Sequence, residues 1–134
     1  FMIKAVPALA IALLLAVAAP TRADTLVAQY LSLLGPPDAY NTSGQPLDDL
    51  CAMVQQDRAN WHKLGRREEH DSGDPFFNTT ERRAMIAGKC IYDADFFANA
   101  ANRIRNGSRT FPIYVEVFAR KGRVSHVIVT EGAG

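Results

Sequence analysis

The stretch FPIYVEVFARKGRVSHVIVT, residues 111–130, decides the fold. Ile113, Val115, Val117 and Ala119 alternate with Tyr114, Glu116, Phe118 and Arg120, which is the period of a strand with one face in a core. Lys121-Gly122 interrupts the run, and Val124 to Thr130 resumes it with β-branched residues. Two such runs across a short break predict a β-hairpin. In this register His126 alternates with Val124 and Ile128, so it is expected to point inward as a core histidine. A lone hairpin is marginally stable in water, so this one must pack on what precedes it.

What precedes it reads mainly as helix. Phe96, Phe97, Ala100, Ala101 and Ile104 recur at helical spacing between a start at Asp93 and a cap at Gly107. Upstream, Asn78 with Glu81 three residues on is a capping-box arrangement, and it opens a helix that carries Met85 and Ile86 inward and ends near Gly88 to Cys90. A first helix runs from about Pro46 to Leu64. Pro46 suits the first position, Asp48 and Asp49 face the positive end of the dipole, and Gly65 supplies the stop. Its apolar stripe is Leu47, Leu50, Val54, Trp61 and Leu64. Thr25 to Leu34 fits neither period well and reads as a strand ended by Gly35-Pro36-Pro37. An N-terminal strand, a run of helices and a C-terminal β-hairpin predict an α+β domain rather than a parallel α/β sheet.

The first 23 residues read differently. Lys4 is the only charge before the apolar run Ala5 to Ala19, and about 15 such residues are too few to span a bilayer comfortably. They fit the h-region of a cleavable signal peptide. Thr21-Arg22-Ala23 places small residues for a cut before Asp24, and a cut after Ala19 is the second choice. No cysteine adjoins either cut, so a lipoprotein is not expected. The reading divides the chain into a signal peptide, 1–23, and one α+β domain, 24–134, that is periplasmic or secreted and has no membrane span after cleavage.

Charge and cysteines narrow the function classes. Cleavage removes Lys4 and Arg22 from the 15 basic residues, leaving 13 against 14 acidic ones. No Lys/Arg block exceeds two residues, so nucleic acid is not an expected partner. The chain has two cysteines, Cys51 and Cys90, and an exported chain with an even count predicts a disulfide between them.

The densest polar stretch is Gln55 to His62. Asp57 falls on the apolar stripe, stepping Leu50, Val54, Asp57, Trp61, and Arg58 borders the same face. A carboxylate on a core-facing line must be paired or strongly hydrogen-bonded. One reading makes Asp57 a structural acceptor for Arg82, Arg83, Tyr114 or a backbone N–H. The other makes Asp57 and His62 a catalytic pair beside a pocket, with Arg58, Trp61 and His70 as ligand-binding candidates. His70, Asp71 and Asp74 are candidate metal ligands by residue type, without the spacing of a known site. No phosphate cradle, nucleophile elbow or zinc-helix motif occurs, and no cofactor is expected. The expected function is a small non-enzymatic binding or accessory domain, with an unknown protein or small-molecule partner in the periplasm. The alternative is a small hydrolase or metal-dependent enzyme built on the Asp57/His62 helix face.

Overall fold

A computed structural model describes residues 23–63, 73–107 and 110–132. Residues 1–22 of the expected signal peptide, 1–23, and the candidates His70 and Asp71 lie outside the described residues. The hairpin forms as its alternation predicts. Strand β3 (Phe111–Arg120) turns at Lys121-Gly122 into β4 (Arg123–Glu131). Both turn residues have positive φ, 52° at Lys121 and 75° at Gly122, the backbone that lets a two-residue turn follow strand twist. Strand β1 (Thr25–Leu34) pairs antiparallel with β3 and forms one edge of the sheet. The α+β expectation therefore holds, with helices packed against a four-stranded sheet in the order β1-β3-β4-β2.

The core lies on one face of that sheet. Tyr30, Ser32 and Leu34 of β1, Ile113, Val115 and Val117 of β3, and Val124, Val127 and Val129 of β4 are buried there. An irregular register between Phe118 and Ala119 shifts the alternation of β4. Val127 thus turns inward with Val124, and His126 faces the other way. This corrects the expected core histidine: His126 is part-exposed and stacks on Phe118 across the strands, 4.5 Å between ring centroids.

Among the described residues there are three α-helices: α1 (Leu50–His62), α2 (Thr80–Ala84) and α3 (Ala100–Arg105). Each is shorter than its sequence pattern predicts, for a local reason. Pro46 forms a bridge with Tyr40, and Leu47 N–H donates to the Ala39 carbonyl at 2.7 Å, so the chain stays extended until Asp49 caps α1. In α2 the capping oxygen belongs to Thr79, one residue after Asn78, and accepts from Arg82 N–H. The third segment starts at Asp93 as expected, with its carboxylate accepting from two backbone N–H groups. Asn99 then adopts φ 60° and breaks the run, so the regular helix begins only at Ala100.

The Cys51–Cys90 disulfide is present, with Cα atoms 5.6 Å apart and a sequence separation of 39. It ties the first turn of α1 to a strand the sequence reading missed. This is β2 (Cys90–Ile91), which pairs parallel with β4 at Val127 and Ile128. Two residues are too few to display a period, so only the pairing reveals it.

Candidate functional site

Helix α1 carries the site candidates because its inner face breaks the rule that core faces are apolar. Met53 and Val54 are fully buried, and so are Asp57 and Arg58 one turn later, at 3% and 0% exposure. Arg58 Nε donates to Asp57 Oδ2 at 2.8 Å, and the second contact of the fork, Nη2, lies 2.7 Å away. Ser32 Oγ, from β1, donates to Asp57 Oδ1 at 2.8 Å. The expected partners Arg82, Arg83 and Tyr114 do not appear in these bonds. Neighbours on a helix leave it about 100° apart, so the Cβ atoms of Asp57 and Arg58 diverge. An arginine stem is long enough to curl back along the helix, and here the Tyr30 ring, 3.8 Å from the guanidinium carbon, supplies the surface it lies on.

The network continues past the helix. Arg58 Nη1 donates to Asp74 Oδ2 at 2.8 Å, and Phe77 N–H donates to Asp74 Oδ1 at 2.8 Å. His62 Nε2 lies 3.3 Å from the same Asp74 Oδ2. His62 therefore joins Asp74 and not Asp57, as their five-residue separation on one helix requires. Burial works against a charge on Arg58. Tyr30, Asp57 and Asp74 outweigh it, and the guanidinium is held charged, with its pKa raised.

Trp61 covers this network from the edge. Its ring lies 5.4 Å from the Arg58 guanidinium carbon, and Gly73 packs so closely that a Cβ there would sit 2.8 Å from Trp61 Cζ2. On the adjoining turn Asn60 Nδ2 donates to Asp38 Oδ1 at 2.9 Å, and Asp38 Oδ2 accepts from Gly35 N–H at 2.9 Å. Asp38 thereby joins the end of β1 to α1, a role its position in a Pro-Pro-Asp turn did not announce.

Asp57 is sealed in the core, where each of its oxygens has a donor. Asp74, a metal candidate by residue type, accepts from Arg58 and from Phe77 N–H instead. Among the described residues, no group of three His, Cys, Asp or Glu side chains is placed to hold a metal ion.

A second polar cluster, at the far end of the sheet, was not foreseen. Asp24 Oδ1 accepts from Arg120 Nε at 2.7 Å, and Asp24 Oδ2 lies 3.2 Å from His126 Nδ1. Ser125 Oγ is 3.1 Å from that same Nδ1. Aspartate, histidine and serine meet here, but not as a triad. A triad places the carboxylate and the hydroxyl on opposite ring nitrogens, so that the ring can take a proton from one side while it is held from the other. Here both contact Nδ1. Hydrogen bonding from Ser125, with the charges of Arg120 and His126, holds the Asp24 carboxyl below its ordinary range.

Compared with known proteins, the chain matches no family model, no curated sequence and no solved structure.

Proposed function

We propose that this chain is a small exported binding or accessory domain that acts in the periplasm by holding a partner, without chemistry of its own. The observation that carries the reading is the fate of Asp57 and Arg58. Both lie in the densest polar stretch of the sequence, and both are sealed in the core and bonded within the fold. A polar core of this kind gives a domain one defined shape. One further feature supports export: the Cys51–Cys90 disulfide suits an oxidising compartment. Separately, no helix among the described residues is long and apolar enough to cross a membrane.

The experiment is expression of the full chain in a Gram-negative host, followed by fractionation and intact-mass measurement. The expected product is in the periplasmic fraction, begins at Asp24 and has no free thiol. Full-length protein kept in the cytoplasm with two free thiols would overturn the reading.

A further inference from the structure

The outward face of α1 has a second feature, independent of the buried network. Ala52, Gln55, Gln56, Ala59 and Lys63 share that face, and α2 stands across from it with Thr80 and Arg83. Between them runs a groove of about 310 Å³, at the small end of pockets that hold ligands. The alanines keep its α1 wall low, and the glutamines give it donors and acceptors.

The charge of the groove is one-sided. It is lined by Lys63 and Arg83 and, among the described residues, by no aspartate or glutamate. Arg83, although it lines the groove, is only 6% exposed. Its two bonds go to neutral acceptors, the Phe77 carbonyl at 2.9 Å and Thr80 Oγ1 at 3.2 Å. The buried Arg58 has two carboxylates, and Arg83 has none within ion-pair distance among the described residues. A guanidinium carries five N–H donors in a fork that fits a carboxylate, so Arg83 keeps donors beyond these two bonds.

We propose that the groove between α1 and α2 binds a short acidic peptide, with a carboxylate held by Lys63 and Arg83 and backbone amides held by Gln55 and Gln56. The cations select the charge. The glutamine amides match the alternating donors and acceptors of a peptide backbone, which a simple anion does not offer. This rests on the reading of the chain as a binding domain and gives that domain a site and a ligand class.

The test is titration of isotope-labelled mature protein with N-acetylated, C-amidated tri-glutamate, followed by NMR up to about 10 mM peptide. Saturable shifts are expected at Gln55, Gln56, Ala59, Lys63, Thr80 and Arg83. Tri-glutamine and inorganic phosphate should each bind at least about tenfold more weakly. Lys63→Glu, on an exposed residue, and Gln55→Glu should each weaken tri-glutamate by about tenfold with an unchanged melting temperature. Equal binding of tri-glutamine or phosphate, shifts centred elsewhere, or no shifts would overturn the proposal. The last two results would leave the binding-domain reading to another surface. Cleavage of the peptide in the same tube, seen by mass spectrometry, would overturn the non-enzymatic reading while leaving the groove in place.

Discussion

Asp57 and Asp24 each meet an arginine at 2.7 Å, in opposite surroundings. Under α1, the Arg58 and Asp57 side chains are 0% and 4% exposed. At the far end of the sheet, Arg120 is 57% exposed and Asp24 20%. Water cannot replace a lost partner in the first place, and it can in the second. The buried pair therefore weighs heavily on stability, because losing either member leaves a charge in the core with too few partners. The exposed pair is screened by salt and competes with solvent, so it adjusts stability only slightly. The same bond length thus carries two different energies, and burial decides which.

The sharpest way to break this contrast is to remove Arg58. Arg58→Ala strands Asp57 and Asp74 together and should lower the unfolding free energy by about 3–5 kcal/mol. Denaturant curves measure it, and an unchanged midpoint would place the two regions on one footing. Asp57→Asn keeps the shape and loses the charge, so its cost should be smaller, about 1–3 kcal/mol. The double variant Asp57→Leu with Arg58→Met should recover part of the loss, since Asp57 is then no longer a stranded charge and only Asp74 is left without its arginine.

Reduction of Cys51–Cys90 acts on neither region directly. It frees the first turn of α1 from β2 and should cost about 3–4 kcal/mol, seen as a lower melting temperature with reductant. If Arg58→Ala and reduction then cost much more together than separately, the network and the staple hold α1 jointly.

Gly73→Ala probes the edge of the buried network. A Cβ 2.8 Å from Trp61 Cζ2 must push the ring aside, at about 1–3 kcal/mol. A neutral result would mean that Trp61 swings away freely and does not seal the network.

The smallest effect belongs to Asp24→Asn. The Asp24 carboxyl is held below its ordinary range in the folded protein. Its stabilisation is therefore full above the unfolded pKa and lost as pH falls through the folded one. The expected outcome is a slightly lower melting temperature at neutral pH, and a difference that vanishes in high salt and as pH falls through the lowered Asp24 pKa. A difference that persists in high salt would mean that the tip behaves like the core.

Much of the fold was legible because its signals are local. The hairpin declares itself through alternation and one glycine turn, and β1 through the Gly-Pro-Pro that ends it. The disulfide follows from two cysteines in a chain read as exported. The helical stripe also placed Asp57 on the buried face, so its burial was readable from period alone. Its partner was not, because Cβ directions separate neighbours on a helix while side-chain length can rejoin them. Asp74 meets Arg58 from 16 residues away, and no local pattern measures that approach. His126 was misplaced because one irregular step in the pairing of β3 with β4 reverses which residues face in, and that step leaves no mark in the composition.

The sequence by itself therefore determined which segments turn, which alternate and which face of α1 is buried, because these depend on neighbours within a few residues. The tertiary structure alone decided that Arg58 rather than a distant arginine neutralises Asp57, that β2 exists, and that Arg83 lines a groove with no carboxylate among the described residues. Each of these depends on surfaces brought together from separate elements, where charge and burial are settled by what arrives and not by what lies adjacent in the chain.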